Sequence, residues 1–181
     1  MMINITYAGK VTGRQYPVNK VFDLILEMSD NISLNIYSNN LKWNKFANLK
    51  WKNNNFFAKN YVEKNKLNSI YKDSSGFLVV LGYECTCFEM IIPSKLSELS
   101  KFNKPILVAG PLNSQVEIIV NKLNVAFFID IQKPDIKVVS KFLNQINIST
   151  ESKVKNNYKE VFESRSKIHS HYEDLIVKIL K

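Results

Sequence analysis

The densest chemistry in this 181-residue chain lies between Glu89 and Gly110, EMIIPSKLSELSKFNKPILVAG. Ile92-Pro93 ends a loop, Ser94 opens a short helix, and a buried strand follows from Pro105. Proline fixes φ and carries no N–H, so it belongs at a helix entrance, where Ser94 as N-cap can accept a bond from the first free amides. The amide end of that helix then points at the loop, with Lys95 beside it and the Glu98 carboxylate one turn on. A helix N-terminus followed by a buried strand is how α/β domains build anion sites. Glu98 also has a plainer reading, because the macrodipole favours a glutamate early in any helix.

Further reactive groups are few. The loop from Gly9 to Pro17 carries Lys10, Gly13 and Arg14, which read either as a phosphate-facing pair of cations or as two exposed loop charges. Cys85 and Cys87 flank Thr86, and with only His169 and His171 elsewhere they cannot complete a tetrahedral zinc site. Adjacent strand or loop thiols are the simpler reading, since nothing local activates either one as a nucleophile. The two histidines stand two apart on a predicted helix, a spacing that does not share a face. Trp43, Phe46, Leu49 and Trp51 lie among Lys42, Lys45, Lys50 and Lys52, a mixture that could stack on single-stranded nucleic acid. Trp43, Phe46 and Leu49 have helical spacing, however, and that predicts burial.

These groups need elements to position them. Ile3–Ala8 alternates as a first strand and runs into the Gly9 loop, and Val18–Met28 follows as a helix with Val21, Phe22, Leu24, Ile25 and Met28 on one face. Strands are predicted at Ile32–Tyr37, Phe56–Ala58, Phe77–Leu81, Ile106–Val108 and Val125–Ile131. Helices are predicted around Trp43, at Glu63–Tyr71, from Ser94, at Ser114–Leu123 with Asn113 or Ser114 as cap, and from Pro134-Asp135 through Ile146. From Glu151 to Lys181 the pattern is helical throughout. Strands alternating with helices require a parallel sheet with right-handed crossovers. The expected fold is therefore α/β, a Rossmann-like six-stranded parallel sheet with helices on both faces and a helical C-terminal tail. The length suits one domain spanning 1–181.

Composition bounds the partners. Lys and Arg number 25 against 16 Asp and Glu, a net charge of +9 that suits anionic ligands without choosing among phosphates, nucleic acid and lipid headgroups. No apolar run reaches membrane-spanning length, and the N-terminus lacks the order of a signal peptide, so a cytoplasmic protein is expected.

IPSKLSEL followed by KPILVAGP resembles the donor-binding segment of the C-terminal domain of GT-B type glycosyltransferases, in the form found in bacterial polysaccharide enzymes. YAGKVTGR is similar to the loop after the first strand of that domain. The resemblance implies a nucleoside-diphosphate sugar as donor substrate, no metal or other cofactor, and transfer of the sugar to a glycan or lipid-linked acceptor. It makes Lys95, Lys10 and Arg14 the catalytic cations on the diphosphate. Glu98 would bind the ribose, Tyr61 and Val62 the base, and Ser94, Leu96, Gly9 and Gly110 would complete the donor-binding set. The commoner family pattern has a second glutamate eight positions earlier, and Met90 stands there, with Glu89 beside it.

The resemblance covers nearly the whole chain but one of the family's two domains. It therefore implies a missing N-terminal acceptor domain or partner chain, an isolated domain inactive by itself, no nucleic-acid partner, and peripheral association of the full enzyme with the cytoplasmic face of a membrane. Two other classes of function stay open on the residues: a nucleotide-binding module without catalysis, and a basic nucleic-acid-binding domain.

Overall fold

The structure is a computed structural model and describes residues 2–11, 18–82, 91–123, 126–148 and Val161. Strands β1 (Ile3–Ala8), β2 (Ile32–Ser38), β3 (Phe56–Asn60), β4 (Gly76–Val80), β5 (Ile106–Gly110) and β6 (Ala126–Asp130) alternate with helices α1 (Val18–Met28), α2 (Leu41–Lys50), α3 (Lys64–Asp73), α4 (Ser94–Ser100), α5 (Gln115–Val120) and α6 (Ile136–Ile148). All strands are parallel, in the order β3-β2-β1-β4-β5-β6. This is the expected Rossmann-like sheet. The predicted helical tail from Glu151 lies outside the described residues, Val161 excepted.

Two apolar layers sandwich the sheet. One gathers Phe22, Ile25, Trp43, Trp51, Phe56 and Phe142 over one face, and the other gathers Tyr71, Phe77, Leu96, Leu99, Val116 and Val120 over the opposite face. The interior strands β4 and β5 are buried along their full length, which explains their unbroken apolar runs. Phe22 is the hub of the first layer, with ring centroids 5.8–6.1 Å from Tyr7, Trp43, Trp51 and Phe56. In the second, Tyr71, Phe77 and Phe102 form an edge-on triad.

Helix α2 corrects one expectation. Trp43 is buried as predicted, but Phe46 and Leu49 face solvent, and the buried positions are Trp43, Asn44 and Ala47, continued by Trp51. The indole N–H of Trp51 donates to Asp23 Oδ1 of α1 at 2.7 Å, and Lys50 pairs with the same carboxylate. These ties turn the helix onto the 43/47/51 row.

Asparagines then fasten α2 to the edge of the sheet. Buried Asn44 donates from Nδ2 to the carbonyls of Ser38 and Lys59 and accepts from Ser38 Oγ. Asn48 brackets one residue of β3, its Nδ2 donating to the Ala58 carbonyl at 2.9 Å and its Oδ1 accepting from the Ala58 amide at 2.7 Å.

Cap positions also differ in part from the sequence reading. Ser114 does cap α5, accepting from the Glu117 amide, while Glu117 Oε2 accepts from the Asn113 amide in return. At α4, by contrast, Pro93 occupies the cap with φ −65° and ψ 129°, no side chain caps the helix, and Ser94 is its first residue. The ring already supplies the extended residue before a helix, so Ser94 is carried into the first turn.

Candidate functional site

The strand order reverses between β1 and β4, where neighbouring crossovers leave to opposite sides and open a crevice beyond the carboxyl ends of the strands. A cavity of about 480 Å³ lies there. Its walls are Gly9 and Lys10 after β1, Val80 and Leu81 at the end of β4, and Ile92, Pro93, Ser94 and Lys95 at the start of α4. A second cavity of about 200 Å³ shares Ala8, Gly9, Lys10 and Lys95 with the first and extends toward Tyr37, Ser38, Asn39, Tyr61, Val62 and Leu67. Lys10 and Lys95 stand at the junction of the two. Among the described residues neither lining contains an Asp or Glu, and two ammonium groups face the joint space, that of Lys95 paired with Glu98 from behind.

The loop after β1 is shaped from below by Tyr7. Its hydroxyl donates to the Lys10 carbonyl, and a Cβ at Gly9 would come 3.1 Å from that hydroxyl. Glycine at position 9 therefore lets the ring fold under the loop, while the Gly9 amide donates to the Tyr37 carbonyl at 3.1 Å. Lys95 is set by two side chains. Its Nζ lies 3.0 Å from Glu98 Oε2 and 3.4 Å from the Tyr71 hydroxyl, over whose ring it also sits. Burial, and after it the Glu98 charge, holds the Tyr71 phenol well above the ordinary tyrosine range.

Of the residues singled out from the sequence, Gly9, Lys10, Ser94 and Lys95 line the larger cavity, and Tyr61 and Val62 line the smaller one. Glu98 lines neither and reaches the site through Lys95. Leu96 is wholly buried in the core, so any contact it makes with a ligand runs through its backbone. Gly110 is buried at the end of β5. Arg14 lies outside the described residues, as do Cys85, Cys87, Glu89, Met90, His169 and His171. Tyr7 and Tyr71 were not anticipated as site residues; one reads as an ordinary strand position and the other as an inward helix position. Among the described residues no group of three His, Cys, Asp or Glu gathers as metal ligands do, and no helix is long and apolar enough to cross a membrane.

No protein-family model matches the sequence, and no curated protein does. Solved structures share the fold at low identity. The chain is similar to the apo form of the lipopolysaccharide outer core galactosyltransferase WaaB, with a TM-score of 0.61 and 13% identity over 90% of this chain and 48% of that one. The catalytic domain of cholesterol-alpha-glucosyltransferase from Helicobacter pylori gives 0.64 and 14%, covering 91% of this chain and 99% of that one. A putative UDP-N-acetylglucosamine 2-epimerase from Listeria monocytogenes gives 0.51 and 13%, over 96% and 46%. The fold is thus the Rossmann-type sheet of GT-B-like glycosyltransferases, and the chain spans about half the length of the galactosyltransferase it resembles.

Proposed function

We propose that this chain is the nucleotide-sugar donor half of a glycosyltransferase, moving a sugar from a nucleoside-diphosphate sugar to a glycan or lipid-linked acceptor. The observation that carries the reading is the pair of joined cavities at the strand-order reversal, with two lysines at their junction and no carboxylate among the described residues of their walls. A diphosphate fits that junction. In this reading the smaller cavity, under Tyr61 and Val62, takes the nucleoside, and the sugar extends into the larger one. Negative charge builds on the diphosphate as the glycosidic bond stretches, so fixed cations there favour the transition state over the ground state. Lys95, Lys10 and Arg14 take this role, with Glu98 on the ribose. No metal is required, because the cations and backbone amides supply the charge. The acceptor site belongs to a second half, a domain or partner chain, which closes over the strand ends.

The same fold in a putative epimerase makes the nucleotide the broader part of this reading and sugar transfer the narrower part. Burial of both indoles takes the two tryptophans out of any stacking platform on α2 and leaves Phe46 there, which supports the nucleotide reading over a nucleic-acid one. Thermal shift with uridine, guanosine, thymidine and adenosine diphosphates tests the broad part, since a ligand at about 100 times its dissociation constant adds roughly 2.7 kcal/mol. A shift with one base, reduced in Lys95→Ala, supports it, and no shift with any of the four rejects it. For the narrow part, transfer appears only once the acceptor half is supplied. Robust transfer by this chain alone would place the acceptor site within these residues.

A further inference from the structure

Helix α2 turns its uncovered face to solvent with an unusual content. Leu41, Lys45 and Leu49 follow one another at i, i+4 and i+8, and Lys42 and Phe46 form the adjoining i, i+4 row. Leu41, Phe46 and Leu49 are 57%, 53% and 72% exposed. Lys42, Lys45 and Lys52 are exposed beside them. From Asn31 to Val62 the chain contains no Asp or Glu. The carboxylate tied to this helix, Asp23, is occupied by Lys50 and the Trp51 indole.

We propose that this face of α2 docks the protein on an anionic lipid bilayer. The proposal rests on the composition and exposure of the helix and not on the donor site, and it names a surface for the peripheral membrane association that the family resemblance implies. A helix face with apolar side chains set among lysines that pair with no carboxylate of the described residues complements a surface that is apolar within and negative at its boundary. Phe46, Leu49 and Leu41 enter the boundary between headgroups and acyl chains, while the lysine stems lie along them and lift the ammonium groups to lipid phosphates. Single-stranded nucleic acid fits the same face less well, because Trp43 and Trp51 are packed against Phe22 and Phe56, leaving Phe46 as the one aromatic on the face. The helix starts directly after Ser38 and Asn39, which line the smaller cavity, so docking along α2 brings that flank of the cavity beside the lipid.

The test is co-sedimentation of the whole chain with vesicles of phosphatidylcholine alone and of phosphatidylcholine mixed with phosphatidylglycerol. The bound fraction should rise several-fold with phosphatidylglycerol. It should fall several-fold in Phe46→Ser/Leu49→Ser and in Lys42→Glu/Lys45→Glu, and hold in Lys64→Glu/Lys66→Glu, which makes the same charge change on exposed positions of α3. Circular dichroism checks that each variant keeps its fold. Independently of any variant, brominated phosphatidylglycerol should quench the fluorescence of Trp43 and Trp51, the two tryptophans of the chain, which lie on the inner side of this helix and at its end. Failure to bind the mixed vesicles, equal loss in the α3 variant, full binding by Phe46→Ser/Leu49→Ser, or absence of quenching would each overturn the proposal. So would binding to a single-stranded oligonucleotide with none to vesicles.

Discussion

Lys95 Nζ lies 3.0 Å from Glu98 Oε2, a salt bridge within α4 that places one side chain in the cavity wall and the other behind it. Both groups are partly exposed, so the pair itself contributes only about 0.2–0.5 kcal/mol. Its interest is competitive: whatever draws Lys95 toward a phosphate must loosen Glu98, and a freed carboxylate can take two adjacent hydroxyls as acceptor. Glu98→Gln should leave the melting temperature nearly unchanged. It should weaken a ribonucleoside diphosphate several-fold while sparing the 2′,3′-dideoxy analogue, each hydrogen bond to a charged group being worth about 1.5–3 kcal/mol. Calorimetry on both ligands decides; an equal loss for both would leave Glu98 as no more than a holder of Lys95.

The cations should act on phosphate rather than on base or sugar. Lys95→Ala, Lys10→Ala and Arg14→Ala are each expected to weaken binding of a nucleoside diphosphate markedly and of the bare nucleoside little. Raising ionic strength should mimic the substitutions for the exposed Lys10 more than for the half-buried Lys95. Parallel losses for diphosphate and nucleoside would remove the phosphate assignment.

Tyr71 gives a prediction at high pH. Its phenol is held above the ordinary range in the folded chain, so unfolding releases a group that ionises more easily. The stability it contributes is intact below the unfolded phenol value of about 10 and is lost progressively as pH rises above it. Denaturant midpoints followed across that range should fall less steeply in Tyr71→Phe than in the unsubstituted protein. Identical slopes would mean that the hydroxyl reaches solvent.

Phe22 joins four aromatic rings from β1, α2, β3 and the turn after α2. Phe22→Ala should cost about 3–5 kcal/mol, because β1, α2 and β3 all brace the void and it cannot collapse cheaply. Urea titration followed by tryptophan fluorescence reports both the loss and the repacking, since Trp43 and Trp51 are among its neighbours. A cost below about 1 kcal/mol would show that the layer relaxes around the missing ring.

Much of this architecture was legible in residue pattern, and the exceptions are instructive. Continuous apolar runs such as Phe77–Val80 and Ile106–Val108 need two covered faces, and their shortness and β-branched content point to interior strands rather than buried helix. Helix α2 was harder because i+3 and i+4 spacings from Trp43 both describe a helical face. Phe46 and Leu49 lie on one row, Ala47 and Trp51 on the other, and only docking onto Asp23 and the sheet selects between them. The entrance of α4 failed for a similar reason, since residue preference cannot separate a serine at the cap from one just inside it. Lys10 and Lys95 were visible as cations near strand ends. The supports that hold them were not, because a hydroxyl folding back under its own loop, as in Tyr7, leaves no periodic trace.

The paired bonds between Asn48 and Ala58 have a consequence for assembly. β3 is one of the two outermost strands, and an outer strand ordinarily offers free amides and carbonyls as a template for a further chain. The carboxamide of Asn48 has the same donor and acceptor as a peptide unit, and it fills both valences of Ala58 as a seventh strand would. At that register the sheet is therefore already terminated from within. Extension of this edge by another copy or by an extended peptide would first have to displace a side chain that makes the same bonds, without paying the entropy of association.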